Sequence, residues 1–347
     1  MRTEITAMAA PAAAAAAFLM VLLLVPVILR LCRRWKLFDS PGPLKIHAQP
    51  VPRLGGVAIA LALFVAPLFC GWVAVESGWL YFAGLGLVWV AGLVDDVRGL
   101  SPALRLASQI AAGALVWRGG WRLPLLGEGA LDLAATCLFV AVFANAFNFL
   151  DGSDGLASGV AGIIAAAYIT LPGAARSPIG YAVACGLVGA CAAFLVFNFP
   201  RASIFMGDSG STALGFSIAF LGLNLYRSNG AVSSSLFFPV WVAALPLLDV
   251  LLAGVRRSQG GTSIFYGDRR HSYDLLLARG WSARQVAITC YGITGGLAVV
   301  GWMAARTGSA RFYLFSAPIL GALVLAAIRL GSLVPREGRA RIEQVRT

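Results

Sequence analysis

Windows of about 20 mostly apolar residues, each long enough to cross the hydrocarbon core of a bilayer, recur along this whole chain with short connections between them. The repetition leaves no stretch in which a separate water-soluble domain could fold. It predicts a single all-α, polytopic membrane unit over residues 1–347. The expected spans are 8–31, 54–74, 78–94, 102–118, 131–150, 155–173, 178–198, 209–226, 235–255, 286–305 and 312–330, eleven in all, with a count of ten compatible with the same pattern. Composition agrees: 12% of residues are charged and 59% hydrophobic, where a soluble domain is about one quarter charged. The first run, from about Met8 to Leu31, is long and ends in basic residues instead of a cleavage site, so it reads as a span and not a removable signal. Cys32, Cys70, Cys137, Cys185, Cys191 and Cys290 lie scattered, mostly in apolar runs, with no CxxC spacing. They read as reduced packing residues, with neither a disulfide framework nor a zinc site.

An odd number of spans puts the termini on opposite sides, and the basic residues say which is which. The connections after spans 1, 3, 5, 7 and 9, together with the tail at 331–347, carry 17 of the 27 Lys and Arg residues, and Arg30, Arg105 and Arg329 at the adjoining span ends bring that side to 20. That side is expected to be cytoplasmic, with the N-terminus outside and the basic tail resting on anionic lipid. The net charge of +12 is thereby a matter of topology, and no groove-reading or base-stacking module points to nucleic acid.

Eleven of the 15 acidic residues fall on the same side, several at helix ends. A carboxylate at bilayer depth costs about 2.5–3.5 kcal/mol on insertion scales, so an acidic residue there is by default a functional hypothesis. In GLVDDVRGLSP, Asp95 and Asp96 end a span, where they face the negative end of the helix dipole. A polar turn with Arg98 as counter-ion gains little from such a pair, whereas a bound cation would reverse the balance. In NAFNFLDGSDGLASG, Asp151 and Asp154 suit the start of the next span as caps, but capping leaves Asn145, Asn148 and the glycines unexplained. In FMGDSGSTALG, Asp208 or Ser209 can cap the following span, and its glycines and helix N-terminus form an anion cradle. Lys45, His47 and Arg53 sit in a Pro/Gly-framed loop, as easily a solvated basic connection as a binding element. Asp249 can simply pair with a neighbour. The longest connection carries Arg269, Arg270 and His271 in a phosphate-friendly setting.

Several aspartates with Lys, Arg and His on one membrane face suit Mg²⁺, or Mn²⁺ in its place, shared between carboxylates and substrate phosphates. Two other readings compete with it. Ser209 with His271 as base would make an intramembrane serine hydrolase, which leaves Asp95, Asp96, Asp151 and Asp154 idle. An ion-coupled transporter would need acids along a path through the bilayer and not on one face.

The three central motifs, in this order and spacing, resemble the polyprenyl-phosphate N-acetylhexosamine-1-phosphate transferase superfamily, the glycosyl transferase family 4 group that includes phospho-N-acetylmuramoyl-pentapeptide transferase. KIHAQPVPRLGG and GDRRHSYDLLLARGW add its early and late loops, so the resemblance covers roughly residues 30–285. It implies transfer of a sugar-1-phosphate from a UDP-sugar to undecaprenyl phosphate at the bacterial inner membrane, releasing UMP with Mg²⁺, by a protein that can be a homodimer. Carried onto this chain, Asp95 and Asp96 hold the metal and lipid-phosphate side, one of them as a candidate base. Asp208 is a metal ligand with Asp96. Lys45 and His47 become candidate substrate contacts. Asn148, Asp151 and Asp154 contact the nucleotide-sugar, Phe205 stacks on uracil with Asn198 nearby, and His271, Arg269 and Arg270 bind diphosphate. Relatives often carry a histidine cluster in the last loop, where this chain has His271 alone, followed by Tyr273 and Asp274. That departure is similar to the branch that starts O-antigen-type and other surface glycans.

Overall fold

A computed structural model describes residues 2–40, 42, 49–70, 77–123, 129–171, 173–229, 233–261, 269–309 and 311–333. The helices are α1 (Arg2–Trp35), α2 (Gly55–Val65), α3 (Gly78–Arg98), α4 (Pro102–Arg118), α5 (Ala130–Leu150), α6 (Leu156–Ile169), α7 (Pro178–Asn198), α8 (Gly207–Asn229), α9 (Ser233–Val242), α10 (Ala244–Gln259), α11 (Ser272–Leu277), α12 (Ala283–Thr307) and α13 (Arg311–Leu330). Two short strands, β1 (Phe38–Asp39) and β2 (Val51–Pro52), pair antiparallel between α1 and α2.

Among the described residues, each expected apolar window lies mostly on helix, and the chain is an all-α, multi-pass membrane protein. Among the described residues, six helices are long and apolar enough to cross a membrane by length and composition, beginning at Pro11, Gly78, Ala130, Pro178, Ala283 and Arg311. The expected count of eleven therefore does not follow from length and hydropathy. One reason is the 235–255 window, which is two helices broken at Ala243. Pro246 has no N–H to give the carbonyl four residues earlier, so the ladder is interrupted there.

The helices sort by what surrounds them. Helix α1 buries a stripe of Ala13, Ala17, Val21, Val25, Ile28 and Cys32, spaced three or four apart, and exposes Leu19, Leu23, Val27 and Leu31 on the other side. One face meets α7, and the other is left for lipid. Helix α8 is different: every residue from Ser209 to Tyr226 is buried, with α2, α3, α5, α6, α7 and α9 packed round it. Protein on all sides lets it carry Ser, Thr, Asn and Gly that a lipid-facing span would not tolerate.

Its polar groups form separate tiers. Ser217 Oγ pairs with Tyr81 OH at 3.1 Å. Near the far end, Asn224 Oδ1 accepts from Trp121 Nε1 and Ser177 Oγ while its Nδ2 donates to Tyr168 OH. Fully buried Leu214 and Phe216, then Phe220 and Leu223, fill the space between tiers. That sequence of closed tiers gives no support to a hydrophilic transport path.

Candidate active site

The connections after α1, α3, α5, α7 and α10 meet at one end of the bundle. Backbone bonds stitch the first to the fourth: Phe205 N–H donates to Pro52 O, and Gly55 and Gly56 N–H donate to Phe205 O and Met206 O. Asn198 stitches the third to the fourth, since Gly155 N–H donates to its Oδ1 and its Nδ2 donates to Ile204 O. Asp154 does the same by accepting the Ala202 N–H at 3.0 Å. Asn198 and Asp154, singled out as nucleotide-sugar contacts, thus hold these loops together. Phe205 is half-buried beside them, and Arg53 Nη1 lies 3.9 Å from Asp39. Lys45 and His47 lie outside the described residues.

The centre is built where α3 meets the start of α8. Asp96, 5% exposed, accepts the Asp208 N–H on one carboxylate oxygen and the Ser209 N–H on the other. It is an N-terminal cap supplied from a distant helix, and it satisfies two of the four N–H groups that α8 leaves open. Gly207 has φ +75°, and a Cβ there would stand 2.6 Å from Asp96 Oδ1, so only glycine lets the carboxylate approach. Expected on a metal, Asp96 has both oxygens on backbone donors and fixes where Asp208 points.

Asp95 and Asp208 face each other. One nitrogen of Arg105, Nη1, donates to Asp95 Oδ2 at 3.2 Å and to Asp208 Oδ2 at 2.7 Å. The other Asp208 oxygen accepts from Asn148 Nδ2, which also reaches Ser211 Oγ. Side chains of Asp95, Asp208 and Arg105 are 14%, 27% and 33% exposed, so these three stay reachable from outside the bundle where Asp96 does not. Beside them a small crevice between α3, α4 and α8 is lined by Arg105, Ser108, Gln109, Asp208 and Thr212 together with the apolar Val88 and Ala91. Asn145 donates to Gln109 at its edge.

Arg105 was not legible as a site residue. The available signal was a charge four residues past the Ser101 cap of an otherwise apolar helix, which the default for intramembrane charge would have flagged.

Asp151, at the end of α5, joins this centre to the last loop. Burial raises its carboxyl well above the ordinary carboxylate range, and the negative charges of Asp208 and Asp96 add to the effect. It also acts electrostatically on Tyr273 of α11. From α10, Asp249 accepts both the N–H and the hydroxyl of Ser272 at the start of α11. Asp274 caps α11 by accepting the His271 N–H and lies 3.6 Å from Arg269 Nε. Its pKa is pushed up to about 6 by burial, against the pull of Arg269. Arg270 offers its carbonyl to Arg256. The His271 ring sits between Phe149 and Tyr273.

The donor set bears on metal binding. Among the described residues no three His, Cys, Asp or Glu side chains converge on a point, so a closed all-protein cage is not built here. Two opposed carboxylates already sharing one cationic nitrogen fit an ion that takes one or two carboxylates and completes its shell with water and phosphate oxygens. Ser209, the alternative nucleophile, is fully buried with its N–H on Asp96, which leaves its hydroxyl unavailable to a substrate from outside.

The chain is similar in sequence to known proteins. Residues 78–226 match the model of glycosyl transferase family 4, a window that runs from the start of α3 to the last turn of α8 and holds every carboxylate of the centre. The chain is 34% identical over 336 residues to the decaprenyl-phosphate N-acetylglucosaminephosphotransferase of Mycobacterium leprae, covering 86% of this chain and 82% of that one. It is 29% identical over 281 residues to the probable undecaprenyl-phosphate N-acetylglucosaminyl 1-phosphate transferase of Bacillus subtilis, covering 78% and 77%. With a phospho-N-acetylmuramoyl-pentapeptide-transferase of Synechococcus it shares 33% over 315 residues, covering 81% and 88%.

Proposed function

The chain belongs to glycosyl transferase family 4, and from that premise we propose that it transfers an N-acetylhexosamine-1-phosphate from a UDP-sugar to a polyprenyl phosphate. The acceptor is of the undecaprenyl type, the products are the polyprenyl-diphosphate-sugar and UMP, and the reaction starts a surface glycan at the cytoplasmic face of the inner membrane. The observation that supports this most is the pair of opposed carboxylates, Asp95 and Asp208, at the membrane-surface end of a bundle whose central helix Asp96 caps.

An oxygen of the acceptor phosphate bonds to the β-phosphorus of the donor as the bond from that phosphorus to the bridging oxygen breaks, and UMP leaves with the electron pair. A phosphate monoester has its second pKa near about 6, so the attacking oxygen is already largely unprotonated at pH 7 and no base is required. The protein's work is positioning and charge neutralisation. Asp95 and Asp208 would hold Mg²⁺ or Mn²⁺, which when bound neutralises phosphate oxygens. Arg105 keeps the two carboxylates apart and aimed. Asn148 fixes the second Asp208 oxygen, while Arg269 and Arg270 supply positive charge, and His271 a ring nitrogen, to the donor's diphosphate.

Purified protein with undecaprenyl phosphate, Mg²⁺ and a panel of UDP-N-acetylhexosamines should release UMP and form a lipid-linked sugar with one of them. No UMP from any donor, where a family relative turns over, would sink the proposal.

A further inference from the structure

The last loop has a single histidine, and its surroundings show how one ring is held without the help of others. His271 is 6% exposed. Its ring lies 5.6 Å from that of Tyr273, with the planes only 7° apart, and 4.9 Å from the ring of Phe149. Arg257 caps the Phe149 ring at 5.2 Å, so guanidinium, phenyl, imidazole and phenol are all in contact. The phenol also reaches beyond the stack: Tyr273 OH donates to Phe149 O at 2.9 Å, tying the loop to the end of α5. The space for that hydroxyl exists because residue 152 has no side chain. A Cβ on Gly152 would stand 1.9 Å from Tyr273 OH and 2.7 Å from the ring carbon that bears it. Gly152 lies next to Asp151, which links the two halves of the site.

We propose that Tyr273 is the positioning residue of the last loop: docked in the socket over Gly152 and bonded to Phe149 O, it fixes the His271 imidazole toward the diphosphate of the nucleotide-sugar. The assignment of that ligand rests on the function proposed above. The fixing itself is a property of the contacts. Asp249 and Asp274 hold the loop backbone through the Ser272 and His271 N–H groups, while Tyr273 and Phe149 lie against the imidazole itself. A parallel ring restricts tilt, and a hydrogen bond at the far end of the phenol restricts slide.

Two readouts test this, one of which needs no turnover. The chain has two histidines, so in a His47→Gln background diethyl pyrocarbonate reports on His271 alone. Tyr273→Ala should speed its modification by about tenfold and Tyr273→Phe, which keeps the stack, by about twofold or less. Equal rates in all three proteins would overturn the proposal. In the transfer assay, Tyr273→Phe should raise KM for the UDP-sugar about fivefold, the loss of one hydrogen bond, with KM for polyprenyl phosphate within twofold and melting temperature little changed. Gly152→Ala should act through the same socket, so the double variant with Tyr273→Phe should be clearly less than additive. Equal rises in both KM values, or additive effects, would make Tyr273 merely structural. Wild-type protein inactive on every UDP-sugar would count against the function proposed above, and the modification rates would still decide the role of Tyr273.

Discussion

Two acidic clusters share one end of this bundle, and they are built on different plans. In the α3–α8 centre, two acids from helices more than a hundred residues apart oppose one another across a single Arg105 nitrogen, and a third caps α8 from outside. Around the last loop, Asp249 of α10 and Asp274 of α11 are both closed by N–H groups of residues 271 and 272, and Asp274 adds Arg269. The first cluster concentrates negative charge on rigid helices and leaves it partly reachable. The second spends its charge on its own backbone. In the function proposed above, carboxylates of the first meet the ligand, whereas those of the second hold the residues that do.

The comparison breaks most sharply at Asp208. Asp208→Asn keeps the shape and the Asn148 side of the site but removes the charge from the opposed pair, so UMP release should fall by about 10³-fold or more with the melting temperature within a few degrees. A loss under tenfold would remove Asp208 from the centre. Arg105 comes next. Arg105→Gln leaves two facing carboxylates without their counter-charge and should cost about 10²-fold, partly restored by raising Mg²⁺. Because both contacts run from one nitrogen, Arg105→Lys should stay within about tenfold of wild type, although the two residues are not generally interchangeable. If Lys is as poor as Gln, the fork geometry matters and the charge-spacer account is wrong. A smaller effect belongs to the second cluster. Asp249→Leu strips the acceptor from Ser272 and leaves a buried donor open, a cost of about 1–3 kcal/mol, so it should lower thermal stability and raise KM for the donor with less change in kcat. A kcat loss as large as that of Asp208→Asn would erase the distinction between the clusters.

The parts of this arrangement that sequence could carry are those encoded locally. Pro102 at the first position of α4 after the Ser101 cap, and Pro178 after Ser177 at the start of α7, marked those helix starts to the residue. Asp95, Asp96, Asp151 and Asp208 stood out because a charge at a span end is costly wherever it points. What each oxygen does was not legible, because Asp96 reaches α8 across 112 residues and Arg105 meets Asp208 across 103. No local pattern encodes such a crossing. The loop-holding bonds of Asp154 and Asn198 were hidden for the same reason: a polar side chain that stitches two loops has the same sequence signature as one that meets a substrate. The break at Ala243 was missed because a hydropathy window averages over a proline that the hydrogen-bond ladder cannot ignore.

The smallest expected effect sharpens the comparison through pH. Asp274 has a pKa of about 6 in the folded protein against an ordinary 3.8, so the folded state holds its proton more tightly than the unfolded chain does. The stability this contributes is fully present below about pH 3.8 and is lost as pH rises through about 6. The groups facing it are Arg269, which favours the charged form, and Asp249, which opposes it. Asp274→Asn removes the titration and retains an acceptor for the His271 N–H. The wild-type melting temperature should therefore fall, relative to that of Asp274→Asn, between pH 4 and pH 7, and the gap should level off at higher pH. Parallel curves for the two proteins across that range would mean that Asp274 is ionised at no cost, and that the second cluster is as open to solvent as the first.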